Sequence, residues 1–202
     1  RYFKNADTIN TNYKWSTKIL KNTHLNYIDY NALFLSLKNS TRYPLFPKTG
    51  THWSYYGCQF AFDSLVRYIE NIKQKSLPHF KMDKVEWSYE MRDQDEDIAK
   101  GLNMLSPIKP FKMAYPMLEY YDTLHKFKPK TLTISDSFWS GIYYSGLPKH
   151  IFSDPQFWYF YSANLDYGPS GVDPLNYDLQ EKLEKNDVVL LMVATPHIQD
   201  MG

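Results

Sequence analysis

Residues 131 to 141 read TLTISDSFWSG, and the fold follows from how that stretch is parsed. Thr131 to Ile134 is β-branched and apolar, Ser135-Asp136-Ser137 is small and polar, and aromatic residues come next. This order predicts a strand, a tight turn and a helix over 138–147, with Gly141 and Gly146 weakening the helix. Ser137 would then stand just past a strand end, a position suited to a serine nucleophile. The same residues also suit a plain turn that caps a helix.

A second stretch upstream bears on that serine. Residues 48–57 read KTGTHWSYYG, and the pairs Tyr43-Pro44 and Phe46-Pro47 keep helix out of the approach, because each proline forces its predecessor into extended geometry. His52 is therefore expected on a loop. From Ser54, a good N-cap, the residues Cys58, Ala61, Phe62, Leu65, Val66, Ile69 and Ile72 fall on one stripe at helical spacing. That helix mounts His52 rigidly, two residues ahead of its start. Read alone, His52 is more readily a partly buried loop histidine bonded to backbone.

Elsewhere, Leu25 to Asp29 (LNYID) is a short strand candidate, and Asn31 to Leu37 has the apolar spacing of a helix after it. Residues 73–96 are charged, contain Pro78 and end in the acidic run around Asp93, Asp95 and Asp97. A calcium loop would need a turn glycine and a closing glutamate that this spacing lacks, so the run reads as the acidic start of a helix from Asp97 to Leu105. Pro107, Pro110 and Pro116 mark an irregular region. Gln156 to Ala163 is an aromatic strand, Tyr167 to Pro174 a loop, and Leu175 to Lys185 a short amphipathic helix. Asp187 to Ala194 (DVVLLMVA) has the continuous apolar character of a parallel strand buried on both faces. Strands alternating with helices predict an α/β layered sheet.

The 202 residues are 43% apolar and 22% charged, enough for one substantial core, and we expect a single domain over 1–202 with 1–24 as a peripheral segment containing part of an amphipathic helix. The net charge is +1 without like-charge blocks, which argues against a nucleic-acid partner. Aromatic residues reach 17%, a surplus that suits sugar stacking as well as a tyrosine-rich core. Cys58 is the one cysteine and reads as a buried structural thiol. His24, His79, His125, His150 and His197 have no ligand spacing, so no metal or other cofactor is expected.

Ser and His are the minimum pair for acyl transfer through a covalent intermediate, and an α/β sheet gathers strand ends and helix starts on one edge. Ser137 and His52 both suit that edge. On these residues the chain resembles the SGNH hydrolase superfamily. Strand-Ser135-Asp136-Ser137-Phe138 looks like its Gly-Asp-Ser nucleophile block, and Thr51-His52-Trp53 looks like the Asp-x-His-Trp block of the alginate O-acetyltransferase-like branch. In that branch the histidine block precedes the serine block, as here. The resemblance implies a Rossmann-like three-layer α/β/α sandwich with a mostly parallel sheet. It implies Ser137 as nucleophile and His52 as base, with no metal or cofactor. It also implies a periplasmic or cell-envelope enzyme moving acetyl groups on a polysaccharide or other acetylated glycan, served by a membrane acyl-transfer partner or anchored through a segment outside these residues.

The chain departs from the motif twice: Gly50 stands where the orienting aspartate belongs, and Ser135 replaces the turn glycine. Asp29, Asp93, Asp95 and Asp97 are the candidates to replace the acid, a backbone carbonyl is another, and a binding relative without turnover is a third. Asn164, Ser135 and the helix-start amides after Ser137 are candidate oxyanion donors. The function expected is therefore serine acyl transfer on O-acetyl groups, as acetyltransferase or acetylesterase. The alternatives are a non-catalytic carbohydrate-binding or scaffold protein and, less favoured for want of an apolar cap, a plain esterase or lipase.

Overall fold

A computed structural model describes residues 12–102, 106, 108–109, 111–122, 124–159, 179–195 and 197–198. The chain divides into two units, one made of its two ends, Arg1–Ile28 with Val193–Gly202, and the other spanning Asp29–Met192. In the first, α1 (Asn12–Leu20) has no buried residue. All elements below belong to the second.

The core is assembled on α3 (Tyr55–Lys73), whose stripe from Cys58 to Ile69 is buried as its spacing predicts, while Ile72, expected on the same stripe, is exposed in the last turn. Ser54 caps it, accepting the Gly57 amide at 2.9 Å while its own hydroxyl donates to the Pro44 carbonyl at 2.8 Å. Phe62 is fully buried at the centre, with ring centroids of Phe80, Trp139 and Phe152 at 6.0, 6.1 and 5.6 Å. One aromatic side chain thus ties the helix to three separate parts of the chain.

The strand–turn–helix expected around Ser137 forms. β3 (Lys130–Ser135) runs into α5 (Phe138–Tyr144), and the helix expected over 138–147 divides at Gly146, which adopts φ 80° before α6 (Leu147–Ile151). β3 lies between β4 (Asp154–Tyr159) and β5 (Val188–Met192), and both neighbours run parallel to it. α7 covers Leu179–Glu184 within the helix expected from Leu175. β5 is not buried on both faces: among the described residues it is an edge strand, with Val189 and Leu191 43% and 63% exposed, so its apolar run covers one face only.

Two further expectations are corrected. Leu25 to Ile28 carries no strand, and Asp29 instead caps α2 (Tyr30–Leu37) by accepting the Ala32 amide at 2.9 Å. The charged region, for which no strand is expected, and the proline region, read as irregular, pair as an antiparallel ribbon of β1 (His79–Ser88) and β2 (Met113–Tyr121). Pro116 sits inside β2 opposite Val85, which a two-stranded ribbon tolerates because each strand keeps a free edge among the described residues. The connection between these strands carries a 3₁₀ turn (Asp93–Glu96) and α4 (Asp97–Gly101). The mixed α/β architecture is therefore a small parallel sheet of three strands, an antiparallel pair and helices.

Candidate active site

Ser137 occupies the turn between β3 and α5 in ordinary right-handed backbone (φ −64°, ψ −13°). At such a position a serine would normally cap the helix with its own hydroxyl. Here the neighbouring Asp136 does so, accepting the Phe138 amide at 3.0 Å, and Ser137 makes no capping bond. The serine oxygen is thereby released for another partner. It meets His52 Nε2 at 2.8 Å.

His52 arrives from the loop before α3, and the residue is 7% exposed. Phe138 packs against it with centroids 4.9 Å apart, and Trp53 behind it is held between Tyr30, Phe34 and Phe138. Its second nitrogen, Nδ1, lies 3.2 Å from Asp97 Oδ2. An ionised carboxylate can only accept, so the neutral ring carries its proton on Nδ1 and presents Nε2 as acceptor to the Ser137 hydroxyl. Serine, imidazole and carboxylate thus stand in line, the arrangement that lets a hydroxyl lose its proton as it attacks an acyl carbon.

Asp97 is fixed by more than the histidine. Its Oδ1 accepts the Thr51 amide at 2.8 Å and the amide of its own neighbour, Ile98, at 2.7 Å. The loop and the start of α4 are laced together further by Thr49, whose carbonyl accepts the Ile98 amide at 3.0 Å and whose hydroxyl donates to the Asp95 carbonyl at 3.1 Å. Gly50 explains the departure from the motif. A Cβ there would come 2.3 Å from the Gln94 carbonyl oxygen and 2.6 Å from Pro47 Cγ. The position has no room for a side chain, because the acid-bearing segment packs against it.

Of the four carboxylates considered for the orienting role, Asp97 alone reaches His52 among the described side chains. Asp29 is the cap of α2. Asp95 is 2% exposed and accepts the Tyr115 hydroxyl at 2.8 Å. Asp93 begins the 3₁₀ turn, and its side chain lies outside the described residues. Asn164 also lies outside them. Ser135 is wholly buried at the end of β3, its hydroxyl without a hydrogen-bond partner among the described residues. The amides after Ser137 are engaged within the turn: Phe138 on Asp136 Oδ1, Trp139 on the Asp136 carbonyl and Ser140 on the Ser137 carbonyl. They do not form an open anion cradle.

Tyr115 and Asp136 carry no sequence signal of their parts, since one acts across the ribbon and the other by displacing an expected cap. Cys58 is buried, and burial followed by the nearby Asp95 carboxylate pushes its thiol well above the ordinary value of 9.0, as suits a structural residue.

No family model matches the chain, and no curated protein matches it. Among solved structures it is similar to the O-acetyltransferase domain of Pseudomonas putida AlgJ, with a TM-score of 0.50 and 13% identity over 90% of this chain and 64% of that one. The chain thus spans less than two thirds of that structure's length. At this identity the likeness is one of fold, and the chain has an AlgJ-like mixed α/β fold.

Proposed function

We propose that this protein is a serine-dependent O-acetyltransferase of the SGNH type, a single domain on a Rossmann-like three-layer frame, acting on hydroxyl groups of a cell-envelope or exported polysaccharide. The observation that carries the reading is His52 bridging Ser137 Oγ at 2.8 Å and Asp97 Oδ2 at 3.2 Å. The AlgJ-like fold supports the choice of acetyl transfer over other acyl chemistry.

In this reading His52 Nε2 takes the Ser137 proton as Oγ attacks the acetyl carbonyl of the donor, delivered by a membrane acyl-transfer partner. The tetrahedral adduct collapses, the leaving group takes the proton from Nε2, and acetyl-Ser137 remains. A sugar hydroxyl then gives its proton to Nε2 and attacks the ester, and Ser137 leaves with that proton. With water in place of the sugar, the same steps make an acetylesterase. Asp97 keeps the ring in the tautomer both halves need and stabilises the imidazolium between them. Ser137 is half-buried, not sealed in the core.

A serine-directed fluorophosphonate probe and an acetyl-transfer assay with p-nitrophenyl acetate and a glycan acceptor test the proposal. The wild-type chain should label and transfer, and Ser137→Ala should do neither. Equal labelling of Ser137→Ala sinks the serine mechanism. Glycan binding that Ser137→Ala leaves intact, with no acetyl transfer by the wild type, would instead make this a carbohydrate-binding relative.

A further inference from the structure

We infer that Tyr115 is a positioning residue for this site, holding the orienting acid on His52 from a strand that shares no hydrogen bond or ring contact with His52 or Ser137 among the described residues. The inference rests on the serine acyl-transfer reading. Asp97 follows directly on the 3₁₀ turn Asp93–Glu96, so its placement depends on how that single turn is anchored. A turn this short in a connection between strands has little rigidity of its own.

Tyr115 grips the turn from both sides with one hydroxyl. The oxygen accepts the Arg92 amide at 2.9 Å and donates to Asp95 Oδ2 at 2.8 Å. Arg92 and Asp95 flank the turn's first half and are themselves joined by the Asp95 amide donating to the Arg92 carbonyl at 3.0 Å. The tyrosine is 3% exposed and Asp95 2%, so both bonds lie out of water, where a lost partner is costly and geometry is tightly kept. Burial first, and then the Asp95 carboxylate, hold the Tyr115 phenol well above its ordinary value, as expected of a hydroxyl that donates to a buried anion.

The clamp has a base and an output. Its base is the ring, over which the Arg92 guanidinium sits 4.2 Å from the centroid while its Nη2 reaches Glu86 Oε2 at 2.5 Å on β1. Its output is the far side of the turn, where the Asp95 carbonyl receives the Thr49 hydroxyl and Asp97 receives the Thr51 amide. A chain of hydrogen bonds therefore runs from β2 through Asp95 and Thr49 to the loop that presents His52. Deleting the hydroxyl alone leaves the ring, the cation above it and the packing in place. It removes the two bonds that set the turn.

The experiment is a double-mutant cycle on the full chain with Tyr115→Phe and Asp97→Asn, read by the fluorophosphonate labelling rate of Ser137, by kcat and KM, and by the downfield proton resonance of His52 Nδ1–H. Tyr115→Phe should slow labelling and lower kcat by about 10- to 100-fold, with KM for the acetyl donor unchanged and the Nδ1–H resonance lost or broadened. In the Asp97→Asn background it should cost no further rate, because its effect passes through that carboxylate. Asp95→Asn, which keeps an acceptor for the phenol, should retain most of the wild-type rate, whereas Asp95→Leu, which removes it, should lose rate as Tyr115→Phe does and serves if Tyr115→Phe folds poorly. The same fold loss in both backgrounds, or an unaltered rate and resonance in Tyr115→Phe, would overturn the inference. Undiminished activity in Ser137→Ala would overturn the serine reading itself, while loss in Ser137→Ala with none in Tyr115→Phe removes only the positioning role.

Discussion

Replacing Gly50 by aspartate puts a carboxylate at the motif position that lacks one, yet the expected outcome is a slower protein. The backbone at Gly50 lies outside the left-handed region, so the obstacle is space and not conformation. A Cβ there stands 2.3 Å from the Gln94 carbonyl oxygen, where carbon–oxygen contacts ordinarily stop at about 3.3 Å. The obstructing atom is backbone, so the 93–97 segment must retreat by roughly 1 Å, the shortfall from that contact distance. Asp97 Oδ2 starts at 3.2 Å from His52 Nδ1. The same retreat carries it to about 4 Å, beyond hydrogen-bond range.

The loss then lies between about 10²-fold, for a catalytic group misplaced by ~1 Å, and about 10⁴-fold, for an orienting acid put out of use in the Ser-His-Asp template. In barrier terms that is roughly 3 to 5 kcal/mol. Overpacking should cost a further ~1–3 kcal/mol of stability. The labelling rate of Ser137 with a fluorophosphonate, alongside thermal melting, reads both, and Gly50→Ala isolates the steric part. The reasoning is refuted if Gly50→Asp labels as fast as the parent and stays fast when combined with Asp97→Asn. The new carboxylate would then have taken over the histidine, and the space would not be closed.

Asp97→Asn alone should lower labelling and turnover by about 10³- to 10⁴-fold, since an amide lets the ring take the wrong tautomer. Its side chain is 33% exposed, so the melting temperature should move little; a large melting shift with a small rate loss would assign Asp97 to structure instead. Cys58 makes a prediction about alkali. Its thiol is raised in the folded state above the ordinary 9.0, so the unfolded chain gives up a proton near pH 9 that the folded chain retains. Stability is full below that pH and falls as pH rises through it, by about 1.4 kcal/mol per pH unit for one withheld proton. Urea titrations between about pH 8 and 10.5, a window spanning the unfolded thiol's titration, should show this slope reduced in Cys58→Ala; an unchanged slope would mean the thiol is not the group responsible.

The parts legible in the sequence are those written in a local period. The stripe from Cys58 to Ile69 at helical spacing and the β-branched run ending at Ser135 each carry their own signal, and the two place His52 and Ser137 without further information. The ribbon is illegible for a physical reason. Its register slips between Met82 and Lys84, so apolar alternation reverses phase in mid-strand and the segment reads as merely charged. Pro116 argues against strand in β2, a rule that holds for central strands and not for a pair with two free edges. The choice of Asp97 from four aspartates depends on that ribbon, because its connection carries the acid. Gly50 reads as a missing carboxylate, whereas its part is to leave room for the Gln94 carbonyl.

The acid on the ribbon's connection also sets the order in which reactivity appears during folding. Ser137 and Asp97 lie 85 and 45 residues from His52, and each contact closes a long loop. Such closures come late, because their entropy cost precedes their reward. A chain that has formed α3 and β3 but not yet docked the ribbon holds an imidazole of unfixed tautomer beside an unactivated hydroxyl. On the proposed serine reading such a chain is chemically quiet, so a half-folded copy would not squander acyl groups on water, and the onset of labelling should mark the completed chain.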